Sequence, residues 1–511
     1  VAGGEYNVAV GNYTLDALTS ADYVVAIGNA AGSAITTGGK HVLIGHNAGS
    51  GLTTGGLNTF IGHGAASNGT VTGVNNNAIG QAALYALAGG GYNQAFGVSA
   101  LQSCTGGDYN IAIGNAALFT QDTEQHNLGI GHGALEVVNS GGEYNVAIGN
   151  YSLDALTSGD YNTFIGYLTG SALTTGSNNT ALGYGAMYQG VVTGQYNIAV
   201  GVNSLRNLTD GPSNVAIGVN SLEALTTGDR NVAVGMSSGT GYDTENDNLA
   251  IGHNALSGSV AGGEQNVAIG NYTCDAITSG DDNTAVGYQA LSGETVGGQN
   301  TAIGKMALKT ANSGNGNTAI GNQALDDVTT GDENTAVGSN AGTATTTGVD
   351  NIFIGESSGG SNQTGSYKTI VGSNADTNGN TDAHEIVIGY NVTGGGQNKI
   401  RMGSGSNYIE NDYANNANWA HSSDERLKTN IQTDNLGLDF INELRTVTYQ
   451  WQASDKLDVS LPGYMSPDMK HFDQLSADTS VVMNGLIAQE VKTALDKVGA
   501  DDSKYAVWST D

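Results

Sequence analysis

A glycine returns every 17 or 18 residues along this chain, 23 times from Gly11, Gly28, Gly45, Gly62 and Gly80 to Gly372 and Gly389. A short fixed period held over most of a 511-residue chain means one supersecondary unit stacked on copies of itself, which excludes an ordinary globular domain for that part. Gly makes up 79 residues but Pro only 3, so the repeat is neither collagen nor a proline-rich linker.

Counted from each repeat glycine, the columns are sharply defined. Position −1 is Ile, Val, Leu or Phe in all 23 repeats, position −2 is usually Ala, position −3 is mostly Val, Thr or Ile, and position −4 is Asn in 19, as at Asn7, Asn145, Asn231 and Asn334. These residues read as a short β-strand ending at a bend, with glycine where the backbone passes through positive φ. Position +3 is nearly always Ala, Ser or Thr and position +4 mostly Leu or Gly, which suggests a second short strand before turns such as Thr174-Thr175-Gly176 and Thr329-Thr330-Gly331. The expected fold is an all-β parallel β-roll or β-solenoid of 23 coils over residues 1–403. At about 4.8 Å per coil it would run on the order of 105 Å.

The Ile/Val column is expected to stack into a buried apolar spine, and the Asn column into an amide ladder along the axis. Neither strand face carries charge, and a 17-residue coil is too thin to cover both. The small-residue face of Ala, Gly and Asn is therefore expected to pack against other copies of the chain. A parallel homotrimer is favoured, though a dimer or a lateral filament meets the same argument.

The pattern is similar to the head repeat of YadA-type trimeric adhesins, with its Asn-Ser-Val-Ala-Ile-Gly signature. Asn214-Val215-Ala216-Ile217-Gly218 and Asn266-Val267-Ala268-Ile269-Gly270 come closest. That resemblance implies left-handed parallel β-rolls in trimers. The period here is longer and Val or Thr stands for Ser.

The composition breaks near residue 403: 38 of the first 403 residues are charged, against 25 of the last 108. Residues 404–422 read as a connector and 423–511 as a small α+β domain. In it, Leu436, Phe440, Ile441 and Leu444 suggest a first helix, and Val447, Tyr449 and Trp451 a strand. A second helix is expected from about Gly485 to Gly499. Ser423-Asp424-Glu425-Arg426-Leu427-Lys428, followed about 60 residues later by Gly485-Leu486-Ile487-Ala488-Gln489-Glu490-Val491, resembles the S74 family of intramolecular chaperones. These lie at the C-terminus of phage tail fibres and endosialidase tailspikes. The resemblance implies a domain that drives trimerisation of the fibre and then releases itself by autoproteolysis between Ser422 and Ser423. Ser423 would be the nucleophile and Lys428 its general base, which requires burial to bring the lysine pKa toward neutrality. The family's final strand and helix are expected beyond Asp511, and a virion attachment segment upstream of Val1.

A net charge of −31 argues against nucleic acid and anionic lipid as partners, and the absence of a run of about 18 apolar residues argues against membrane insertion. Cys104 and Cys274 lie ten coils apart, roughly 48 Å, too far for a disulfide, and read as small buried hydrophobes. His46, His63, His132 and His253 follow repeat glycines in a column that also holds Asn, Gln, Lys and Glu, so no metal or other cofactor is expected. Tyr167, Tyr184, Tyr288 and Tyr390 share that column and offer a glycan-binding stripe. The Thr284, Thr301, Thr318 and Thr335 ladder reads as good strand residues. The chain is thus expected to be a phage tail fibre in an extracellular virion, assembled in the host cytoplasm, that meets a bacterial surface receptor, glycan included, and other tail proteins. The alternatives are a bacterial trimeric surface adhesin and a polysaccharide-degrading tailspike.

Overall fold

The structure, a computed structural model, describes residues 3–137, 141–190, 192–258, 262–414, 438–449, 483–486 and 488–498. The chain divides into two compact units, Val1–His421 and Ser422–Asp511. The first is the expected parallel β-solenoid. Its strands run from β1 (Val8–Val10) to β23 (Ile386–Tyr390), one per repeat, each pairing in parallel with the strand one coil on. Val8 meets Val25 and Ala216 meets Ala233, so like residues stack on like.

Each strand ends at the repeat glycine for a steric reason. Gly218 has φ +141°, and a Cβ there would lie 2.3 Å from the carbonyl oxygen of Gly235 in the next coil. Only a residue without a side chain fits that approach.

The second expected strand is absent from most coils. Positions +2 and +4 take left-handed backbone, as at Ala82 (φ +55°) and Leu84 (φ +50°), which no regular strand accommodates. Isolated bridges such as Leu52 to Val71 and Leu173 to Val192 are what the limb retains of a ladder. Its backbone is nonetheless paired along the stack. The Ala82 N–H donates back to the His63 carbonyl at 3.0 Å, and the Leu84 N–H donates forward to Ala100 at 2.9 Å.

The core also lies on the opposite face from the expected one. Strand alternation turns positions −2 and −4 inward, so Ala216, Ala233 and Asn231 are fully buried. Leu at +4 (Leu222, Leu308) and the residue at +7 (Leu208, Leu225) fill the rest of a narrow interior. The Ile/Val column faces outward: Ile113, Ile303 and Ile354 are 40%, 40% and 41% exposed. A 17-residue coil has room inside for Ala opposite Leu, and not for two large side chains. Where position −2 grows, position +4 shrinks. Phe164 and Phe353 replace Ala at −2 while Gly170 and Gly359 stand at +4, and a Cβ on Gly170 would lie 2.3 Å from the Phe164 ring. The cysteines fit the same interior. Both are buried and free, and burial pushes the Cys104 thiol up to about 12.

The Asn column bonds chiefly to backbone. Asn214 Oδ1 accepts from the Asn231 N–H at 2.9 Å, and its Nδ2 donates to the Gly228 carbonyl at 2.8 Å. Direct amide-to-amide bonds occur in places, as from Asn231 Nδ2 to Asn214 Oδ1 at 3.2 Å. Two ionic residues end the column. Lys368 Nζ lies 3.6 Å from Glu385 Oε2, both side chains fully buried, and Thr377 donates to that carboxylate at 2.6 Å. Burial pushes the Lys368 ammonium below its ordinary range, with Glu385 pulling it back. Beyond them β24 (Lys399–Ser404) continues the parallel sheet, and β25 (Asn407–Asp412) pairs antiparallel to it as a hairpin.

The described part of the second unit is α+β. Helix α1 (Leu438–Glu443) leads into β26 (Thr446–Tyr449), which pairs antiparallel with β27 (Met483–Leu486); α2 (Ala488–Lys497) follows. Gly485 and Leu486, expected in the second helix, belong to the strand instead, where Gly485 sits opposite Val447.

Candidate functional site

Ser423, Lys428 and the Ser422–Ser423 bond lie outside the described residues. What the second unit does show is the role of the second half of its signature. Val491, Ala494 and Leu495 form the buried stripe of α2, spaced as one helical face. Glu490 reaches across the sequence to Arg445, whose Nε donates to its Oε2 at 3.1 Å. Their mutual hydrogen bonding holds the carboxylate below, and the guanidinium above, its ordinary range. Lys497 Nζ donates to Glu443 Oε2 at 2.7 Å and ties α2 to the end of α1. Gln489-Glu490-Val491 thus carries structural work: one residue pairs a cation and the next fills the interior. Ile441, one of the apolar residues that suggested the first helix, is 58% exposed.

On the first unit the conspicuous feature is the outward Ile/Val column. At roughly 60 Å² of open apolar surface per coil, 23 coils present on the order of 1,400 Å², far more than the few hundred that soluble monomers expose in one patch. Position −3 flanks it on the same face, and there Thr284, Thr301, Thr318 and Thr335 pair directly in register.

The aromatic side chains form exposed columns of their own. At position −5, Tyr92, Tyr109, His126, Tyr144 and Tyr161 make an unbroken stack, with ring centroids 4.8–5.0 Å apart and planes within 11°. The sequence reading missed this column, although a Tyr or His recurring five residues before the glycine was its signal. At position +1, His46 and His63 stack at 5.1 Å and 7°. Parallel rings at that spacing set like nitrogens about 5 Å apart, beyond the roughly 4.2 Å that one zinc ion spans between two imidazoles. Tyr167 and Tyr184 stack at 5.8 Å, and Tyr390 stands 62% exposed at the end of β23. Tyr288 packs edge-on against Tyr272 at 6.1 Å. Among the described residues, no group of three or more His, Cys, Asp or Glu is arranged to hold a metal.

Residues 423–500 match the family model described as chaperone of endosialidase, the S74 peptidase group. No curated protein matches the chain. The molecule is therefore a β-solenoid of about 17-residue coils followed by a C-terminal segment with the S74 chaperone signature.

Proposed function

We propose that this chain is the shaft and C-terminal chaperone of a phage tail fibre: a homotrimer that reaches a bacterial surface receptor and whose chaperone cuts itself free. The single observation that carries the reading is the open Ile/Val face of the solenoid, read together with the chaperone match. The face's open area exceeds the ~800 Å² that each partner buries in a standard stable interface. A second and third copy in register would cover it with identical residues at each level. Three copies rather than two follow from the S74 resemblance, whose chaperones assemble trimeric fibres.

In the proposed cleavage, Lys428, uncharged, takes the Ser423 hydroxyl proton as Oγ attacks the carbonyl of Ser422. The peptide bond breaks, and the proton passes to the departing amine. Water then hydrolyses the resulting ester. The solenoid would end at Ser422 and remain assembled through its Ile/Val face. The protein would act in the virion, outside the host that assembled it, joined to other tail proteins.

Native and denaturing mass spectrometry on the full-length gene product tests this. The expected result is three solenoid chains ending at Ser422 and a released fragment beginning at Ser423, with cleavage abolished in Ser423→Ala and Lys428→Ala. An uncut trimer would leave the fibre and remove the protease. A single-chain species would overturn the fibre itself.

A further inference from the structure

Ring geometry divides the aromatic contacts of the solenoid into two kinds. Within one column the rings lie parallel, within 16° of each other, as like residues stacked on like should. Two clusters depart from this, and they contain all four edge-on contacts among the described residues. His132 meets Tyr151 at 5.0 Å and 60°, and Tyr151 meets Tyr167 at 6.3 Å and 73°. Seven coils on, His253 meets Tyr272 at 5.1 Å and 80°, and Tyr272 meets Tyr288 at 6.1 Å and 85°.

The cause is a step in column. In each cluster the histidine directly follows a repeat glycine (Gly131, Gly252). The middle tyrosine comes two residues after the next glycine (Gly149, Gly270), and the last tyrosine returns to the first column. The same polar contact recurs as well. The backbone N–H of His132 donates to Asn150 Oδ1, and that of His253 to Asn271 Oδ1, both at 2.9 Å. With its oxygen engaged, each Asn side chain has its NH₂ as the group to offer a ligand.

The consequence concerns ring faces. In a parallel stack each face is covered by its neighbours and only edges meet solvent. A ring turned edge-on, as Tyr151 and Tyr272 are, directs its faces sideways rather than onto the coils above and below, and with the rings it meets makes a corner. Tyr151 and Tyr272 are part-exposed, and the flanking Tyr167 and Tyr288 are 47% and 44% exposed, the far side of Tyr167 being stacked on Tyr184. An open aromatic face beside amide, phenol and imidazole groups matches the C–H face and hydroxyl edge of a pyranose. With a net charge of −31 on the chain, the sugar is an uncharged one.

We propose that His132/Tyr151/Tyr167 and His253/Tyr272/Tyr288 are two equivalent binding subsites for a neutral glycan, about 34 Å apart along each chain. This deepens the receptor-binding reading above and rests on it. Two subsites per chain would raise the apparent affinity for a polymer that spans them.

Affinity electrophoresis of the full chain through native gels containing dextran, mannan, galactan or polysialic acid tests the proposal. At least one neutral polymer should retard the protein, and polysialic acid should not. Tyr151→Ala/Tyr272→Ala, and separately Tyr167→Ala/Tyr288→Ala, should weaken retardation about 4- to 100-fold, since each pair removes two ring contacts worth roughly 2- to 10-fold apiece. Tyr151→Phe/Tyr272→Phe, which keeps the rings, should retain it, as should Tyr109→Ala in a parallel stack. No retardation by any neutral polymer, or retardation in both alanine pairs equal to that of the unsubstituted chain, overturns the subsites. So does an equal loss in Tyr109→Ala. Native masses of the same samples separate the two readings. A three-chain species without retardation removes only the subsites, and a single-chain species removes the fibre.

Discussion

Individual residues in this chain occupy backbone that their type ordinarily avoids. Leu84, Leu118, Leu153, Leu222 and Leu308 all sit at φ between +50° and +52°, a conformation costing about 1–3 kcal/mol for a non-glycine residue. It is tolerated because it aims the side chain into the core, where full burial returns roughly 1.5–3 kcal/mol. Asp154 bears a different cost. Burial, with the charge of Glu136 adding to it, pushes its carboxyl from the ordinary 3.8 up to about 6. Between those values the folded chain holds a proton that the unfolded chain has released. The group's favourable contribution is therefore complete below about pH 4 and is lost as the pH rises through 6. Asp154→Asn, neutral throughout, should raise the melting temperature at pH 7 by about 1–2 °C, a modest gain for a half-buried group, and leave it unchanged at pH 4. A gain of equal size at both pH values would refute the assignment.

At the scale of the coil, the interior is a shared volume that position −2 and position +4 divide between them. Phe164→Ala should cost about 3–5 kcal/mol by opening a cavity. Adding Gly170→Leu recreates the Ala216/Leu222 pairing of another coil and should recover more than half, as read by denaturant unfolding of the double-mutant cycle. No recovery would mean that the two positions do not exchange volume. The period, the bending glycine and the Asn column were legible in the sequence, because each is a single residue type demanded at a fixed place. Which strand face is inside was not legible. Ile and Val are the more apolar set, and hydrophobicity alone puts them in the core; the width of a 17-residue coil puts Ala216 there instead. Nor does Leu at position +4 announce a left-handed backbone. The glycines that replace it, Gly170, Gly239 and Gly342, were the available hint. At the C-terminal unit, Glu490 and Val491 were legible as a motif while their partners, Arg445 and the interior of the unit, were not, since those contacts cross about 45 residues.

For the whole molecule, the inversion of faces changes what assembly must accomplish. The small-residue face needs no partner, because the chain buries it itself. The large-residue face is the one left open, and association of copies is expected to depend on it. Ile217→Lys, Ile303→Lys and Ile320→Lys combined should disperse the proposed trimer into single chains with the far-ultraviolet circular dichroism unchanged, since none of the three belongs to the buried core. Sedimentation velocity would show the change, and an undisturbed three-chain species would place the interface elsewhere.

The in-register pairing of each strand with the residues 17 or 18 positions on makes one coil much like another at its upper and lower surfaces. A gene that gains or loses a whole period by unequal recombination rejoins matching surfaces and leaves every ladder continuous. The recurrence of Gly-Asn-Tyr at residues 11–13, 149–151 and 270–272 has the form that such copying would leave. Length along the stack can then change in increments of one coil, about 4.8 Å, without redesigning anything inside it.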